Sequence, residues 1–116
     1  MTELVDMQCV PCRSDSPQVT QEEMQTYLPQ IPDWQVIAVD GENRLKRTYK
    51  FKNFAGPLAF TQQVGELAEK EDHHPQIVLE WGKVTISWWT HSIGGLHRND
   101  FVMAARCDQR YARMAG

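Results

Sequence analysis

The sequence predicts an α+β fold: a single domain with a four-stranded antiparallel sheet and helices packed on one face, in the order α-β-β-α-β-β-α. Two pairs of apolar/polar alternating stretches are each joined by a short glycine turn, at Asp40-Gly41 and at Gly82-Lys83, as in hairpins. Three stretches with helical apolar spacing flank and separate those pairs. The length, 116 residues and 13.4 kDa, is that of one domain. Hydrophobic residues make up 41% and charged residues 23%, near the globular average, which excludes a mainly disordered chain.

Residues 1–17 read as an irregular N-terminal arm, and 18–116 as the domain proper. The arm carries Cys9-Val10-Pro11-Cys12 and Ser14-Asp15-Ser16-Pro17 without apolar periodicity, so it is expected to dock weakly. Thr20-Gln21-Glu22-Glu23 is a capping box that opens the first helix. Met24, Tyr27 and Leu28 form that helix's apolar face, and Pro29 and Pro32 end it. Trp34–Val39 and Arg44–Phe51 alternate as strands, the second with Leu45, Arg47, Tyr49 and Phe51 on one face. Asn53 is the expected N-cap of a helix over 54–71, with Pro57 tolerated in its first turn. Leu58, Thr61, Val64, Leu67 and Ala68 mark its expected buried stripe. Ile77–Trp81 and Val84–Thr90 form the second strand pair. A helix over 97–113 closes the chain, with Phe101, Ala104, Ala105, Asp108 and Tyr111 on one side.

Charge and hydropathy narrow the function classes. A net charge of −3 and a pI near 5.7 exclude a sequence-wide basic footprint for nucleic acid and leave only a local patch open. No apolar run approaches the roughly 20 residues of a membrane span. The first residues have neither the basic nor the apolar region of a secretory signal. Three cysteines are an odd number and too few for a disulfide framework, so a cytoplasmic location with free thiols is expected.

All four histidines, His73, His74, His91 and His97, fall between positions 73 and 97. His73 and His74 leave the central helix, where Pro75 imposes an extended or turn conformation on His74, and His91 follows the fourth strand. Element ends on a rigid scaffold are usual places for site residues. Imidazoles exchange protons near neutral pH, and nearby carboxylates such as Glu69 and Asp72 fix their tautomers. Other readings compete. His-His-Pro also suits a solvated helix terminus. His73, His74 and His91 with Asp72 would make a metal site, yet adjacent histidines rarely ligate one ion, and no His-x-x-x-His spacing is present. Cys9-x-x-Cys12 is half a zinc-ribbon signature without its other half. Cys107 has the look of a core residue. Trp81, Trp88 and Trp89 fit core or interface, and Arg98 and Asn99 a solvated first turn.

The stretch Glu69-Lys70-Glu71-Asp72-His73-His74-Pro75, then Trp81, Thr90-His91, Gly95-Leu96 and Asp100, resembles the pterin-4a-carbinolamine dehydratases. Gln30-Ile31-Pro32-Asp33-Trp34, Phe51-Lys52-Asn53-Phe54 and Trp89-Thr90-His91-Ser92-Ile93 resemble the bacterial branch associated with phenylalanine hydroxylase, as does the Cys9-x-x-Cys12 arm. The resemblance implies dehydration of a C4a-hydroxylated pterin to the quinonoid dihydropterin, without metal or cofactor. It implies His73, His74 and His91 as catalytic imidazoles, with His74 the base and the other two attending the hydroxyl. Glu69 and Asp72 then orient or charge the site, Trp34 lines it, and Asp100 closes it. It implies a homodimer or homotetramer with no direct nucleic-acid or membrane partner, functionally linked to phenylalanine hydroxylase. Animal-type members carry Ser or Thr where this chain has His97, and Arg where it has Asn99, so His97 reads as a helix-start residue. Some relatives instead stabilise a transcription-factor dimer or help assemble a carbon-fixing enzyme. A catalytically silent, protein-binding role is therefore the alternative. The assembly-factor relatives tend to lose parts of the histidine motif that this chain keeps whole.

Overall fold

Two tight hairpins build the sheet. In the computed structural model, which describes residues 3–10 and 16–115, β1 (Gln35–Val39) and β2 (Glu42–Lys50) pair antiparallel with Val39 opposite Glu42. That register leaves Asp40 and Gly41 as the whole loop, at φ 52° and 80°. A type I′ turn demands positive φ at both central positions, and Asp-Gly supplies it. β3 (Gln76–Glu80) and β4 (Lys83–Trp88) also pair antiparallel, but their loop is Trp81-Gly82 rather than the expected Gly82-Lys83, and there only Gly82 has positive φ, 78°. α2 (Ala55–Glu71) carries the chain from β2 past β4 to β3, giving the order β1-β2-β4-β3 with every neighbouring pair antiparallel. α1 (Gln21–Tyr27) precedes the sheet and α3 (Arg98–Ala115) follows it. The predicted element order therefore stands, with short 3₁₀ turns added at Leu4–Asp6, Leu28–Gln30 and His91–Ile93.

One sheet face makes the core. Leu45 lies opposite Trp88, Arg47 opposite Ile86 and Tyr49 opposite Val84, and the apolar members of these pairs are buried. The α1 capping box forms as expected: the Glu23 N–H donates to Thr20 Oγ1 at 3.1 Å, and the Thr20 N–H donates to Glu23 Oε1 at 3.0 Å. At α2 the cap differs by one residue. Phe54 takes the N-cap position, while the Asn53 side chain still accepts from the Gly56 N–H at 2.8 Å. The buried stripe of α2 also differs from expectation, being Pro57, Phe60, Val64, Leu67 and Ala68. Leu58 is 51% exposed. At about 100° per residue, Phe60 shares a face with Val64 and Leu67, and Leu58 sits about 200° around from Phe60. The larger aromatic takes the core.

α3 is buried on more than the predicted side. Val102, Met103 and Cys107 are fully buried along with Phe101 and Ala104. The half of α3 from Asn99 to Ala105 is buried at every position, so it needs cover on more than one side. The sheet supplies one, and the Leu4–Asp6 turn of the arm packs on α3 and supplies more. This corrects the expectation of a weakly docked arm. Leu4 is fully buried, its N–H donates to Gln30 Oε1 at 2.8 Å, and the Arg106 guanidinium donates to the Met7 carbonyl. Apolar period detects regular elements, and a short turn anchored by one leucine has none. Cys12 of the Cys9-x-x-Cys12 pair lies outside the described residues. Among the described residues, no helix is long and apolar enough to cross a membrane.

Candidate active site

The site begins where α2 ends. Asp72 takes the left-handed conformation, φ 51° and ψ 43°. Its N–H donates to the Glu69 carbonyl at 3.3 Å, and the His73 N–H donates to the Ala68 carbonyl at 3.1 Å. These two bonds are a Schellman ending, a role usually given to glycine. Asp is among the few other residues that visit this region readily. Asp72 thus turns the chain so that the two histidines leave the helix toward different partners. Asp72→Val is expected to cost about 1–2 kcal/mol of stability, because a β-branched residue tolerates this backbone poorly. Asp72→Gly should be neutral or stabilising, and thermal melts of the two variants check both expectations.

His73 points inward. Its Nε2 lies 2.6 Å from Asp100 Oδ1, and its ring stacks on Trp88 at 5.5 Å with planes 11° apart. Asp100 is fully buried. Its other oxygen accepts from Thr90 Oγ1 at 2.8 Å and from the His97 N–H at 2.9 Å. The carboxylate also occupies the first turn of α3, where the helix dipole favours negative charge. An ionised carboxylate only accepts, so His73 carries its proton on Nε2 and leaves Nδ1 free. His74 turns outward: its Nε2 lies 2.6 Å from Glu69 Oε1, with the two side chains 54% and 79% exposed.

His73, His74 and His91 line one cleft of about 570 Å³, together with Asp72, Glu71 and Asn99. That is the size of an ordinary small-molecule site. His91 opens the 3₁₀ turn that follows Thr90, and the turn ends at Gly94 in the left-handed region, φ 68°. Cys9 and Val10 of the arm line the same cleft. Burial, with Glu71 adding to it, pushes the Cys9 thiol up to about 11, so it lines the cleft as a neutral group. Glu71 is held by Arg106 at 2.9 Å. Among the described residues, no group of three or more His, Cys, Asp or Glu side chains is arranged to hold a metal ion.

A family model for pterin 4 alpha carbinolamine dehydratase matches residues 17–110. The chain belongs to the pterin-4a-carbinolamine dehydratase family. Two bacterial proteins carrying that family name provisionally are similar over nearly their whole length. One, from Marinobacter nauticus, is 56% identical over 111 residues, covering 96% of this chain and all of the relative. The other, from Microcystis aeruginosa, is 55% identical over 111 residues, covering 96% of each. Among solved structures, a transcriptional coactivator/pterin dehydratase from Brucella melitensis superposes with a TM-score of 0.70 at 33% identity, covering 86% of this chain and all of that one. A pterin dehydratase-like RuBisCO assembly factor of the alpha-carboxysome shares the fold, with a TM-score of 0.57 at 23% identity over 66% of this chain and 87% of its own.

Within this dehydratase-family chain, the sequence-predicted residues divide. The cleft gathers Asp72, His73, His74 and His91, and Asp100 lies directly behind His73. Glu69 reaches the site only through His74 and faces a neighbouring groove shared with Gly65 and Pro75. Trp34 does not line the cleft, which corrects its expected place. It is 5% exposed, its indole N–H donates to Asp108 Oδ1 at 2.9 Å, and its ring meets Tyr49 edge-on. Asp108 also accepts from Arg47 at 2.6 Å and from the Tyr49 hydroxyl, so this indole belongs to a core polar cluster. Sequence reasoning missed Glu71, Thr90 and Asn99 as site residues. Glu71 and Asn99 sit one position from residues that were singled out, but only packing shows which side chain turns inward.

His97 keeps its helix-start role, since Nδ1 accepts from the Asn99 N–H at 3.0 Å. Burial, helped by the charges of Arg98 and His73, holds His97 below the ordinary imidazole value of 6.5, against the opposing pull of Asp100. A lowered folded-state pKa means that the unfolded chain binds this proton more readily. The stability contribution is therefore present above about pH 6.5 and falls away as the pH drops below it. The melting temperature of the wild type should decline below that pH more steeply than that of His97→Asn, whose side chain caps without titrating. Parallel melts from pH 8 to pH 5 check the difference.

Proposed function

We propose that this chain dehydrates a 4a-hydroxytetrahydropterin to the quinonoid dihydropterin by histidine acid–base catalysis. The observation that carries the reading is the buried Asp100–His73 pair, which opens with His74 and His91 onto one cleft. In the reaction the C4a–O bond breaks, the hydroxyl leaves with a proton as water, and a base removes one ring proton. Two proton-handling groups suffice. The Nε2 of His74 is engaged by Glu69, so its Nδ1 is the acceptor for the ring proton. The Nε2 proton of His73 is engaged by Asp100, so the proton it gives to the departing hydroxyl is a second one, taken up at the free Nδ1, and His91 lines the same cleft. Family membership and the similar bacterial proteins support the substrate class.

Homodimeric or homotetrameric assembly, a cytoplasmic setting and a functional link to phenylalanine hydroxylase belong to the same proposal. Stopped-flow measurement of 4a-hydroxytetrahydrobiopterin decay, with the uncatalysed rate subtracted, tests it. Acceleration at sub-stoichiometric protein supports the reading. A subtracted rate of zero from pH 5 to pH 9 transfers the chain to the protein-binding alternative.

A further inference from the structure

Asn99 is buried to 3% exposure one residue into α3, and while its backbone N–H serves the His97 cap, its side chain turns to the arm. Its carboxamide binds the arm at two points: Oδ1 accepts from the Val10 N–H at 3.0 Å, and Nδ2 donates to the Val10 carbonyl at 2.7 Å. This is the pairing one extended strand would offer another, supplied here by a side chain. Two helical turns further along α3, Arg106 donates to the Met7 carbonyl while ion-paired to Glu71. The backbone of Met7–Val10 is therefore gripped at both ends, with Cys9 between the grips and Cys9 and Val10 forming a wall of the cleft. The proton-transfer chemistry assigned to the imidazoles uses none of these groups.

We propose that Met7–Val10 is the wall against which the pterin is positioned, and that Asn99 is the positioning residue that holds it by pairing with the Val10 backbone. The inference rests on the pterin reading of the cleft and adds a second element to it. A wall that touches the substrate but moves no proton acts on binding. Loosening it should raise KM and leave kcat nearly unchanged. Asn99→Leu keeps the approximate volume and removes both bonds. Val10→Pro removes the N–H donor and exchanges the isopropyl group for a ring, and it leaves every group on α3 in place.

The test uses stopped-flow KM and kcat for 4a-hydroxytetrahydrobiopterin, together with the rate at which a maleimide labels Cys9 in a Cys12→Ser protein. Cys107 is fully buried, so Cys9 is the thiol within reach of the label there. Expected are a KM raised about tenfold in both variants with kcat within about twofold, and Cys9 labelling slowed several-fold by saturating 7,8-dihydrobiopterin. Labelling unaffected by that pterin in a protein that turns over normally overturns the proposal and leaves the dehydratase reading intact. Protection without turnover keeps the wall and removes the dehydratase reading. If Asn99→Leu fails to fold, Val10→Pro and the protection experiment still decide. A fall in kcat at unchanged KM also overturns the proposal, since it would place Asn99 in the chemistry.

Discussion

His74→Ala is expected to slow the dehydration by about 10²–10⁴-fold while leaving the melting temperature nearly unchanged. The separation of the two effects follows from exposure. His74 is half exposed and pairs with a Glu69 side chain that is mostly in water. Exposed pairs of this kind contribute at most about 1 kcal/mol to stability. The fold therefore barely registers the loss, whereas the reaction loses its proton acceptor. His73→Ala should behave differently, because it removes the aromatic neighbour of Trp88 and leaves one oxygen of Asp100 without its partner. That variant should lose both rate and stability. Stopped-flow assays alongside thermal melts of the two proteins distinguish the cases. A His74→Ala protein with a near-wild-type rate would show that the base lies elsewhere.

Asp100→Asn is the second large effect. The substitution keeps shape and removes charge, but an amide has one acceptor oxygen where the carboxylate has two. Three donors converge on Asp100, from His73, Thr90 and the His97 backbone. At least one of them must meet an N–H instead of an oxygen. Leaving a buried donor unpaired costs about 1–3 kcal/mol, which in a domain of this size lowers the melting temperature by several degrees. If the amide N–H turns toward His73, the imidazole must move its proton from Nε2 to Nδ1 to accept. The tautomer available to the substrate is then reversed. Turnover should fall about 10²-fold or more, beyond what the stability loss explains. The check is to measure turnover well below the variant's own melting temperature and to follow the His73 ring nitrogens by NMR.

The fold was legible because its signals are local. The capping box at Thr20, the Asp40-Gly41 turn and the alternation through Leu45, Arg47 and Tyr49 each concern residues within a few positions of one another. The α2 stripe was read one face off at Leu58, since apolar spacing alone ranks Leu58 and Phe60 alike and the sheet beneath decides between them. The histidines and Asp100 were legible as a motif, and packing joins His73 to Asp100 across 27 positions. Trp34 and the arm were misread for a common reason. Both depend on α3, Trp34 through Asp108 and the arm through Asn99 and Arg106, and such long-range partners leave no periodic trace in the sequence. Asn99 was passed over as a solvated first turn because an asparagine that binds backbone reads no differently from one that binds water.

The double cover on α3 sets the order in which the molecule opens. Amide protons in the middle of that helix, around Val102 to Cys107, are shielded by the sheet on one side, with the docked arm packed on the helix as well. They should exchange with solvent only through global unfolding, the slowest class in the protein. The arm is tied down by one buried leucine and a few backbone contacts, so it should detach in a cheaper, sub-global event. In that partly open form the sheet and α2 are still in place, but one wall of the cleft is gone. Protection at Val10, whose N–H binds Asn99, then reports the fraction of molecules with a complete cleft, while protection at Met103 reports the fraction that is folded. A protease that nicks the detached arm would convert the first population loss into a permanent one without unfolding the rest.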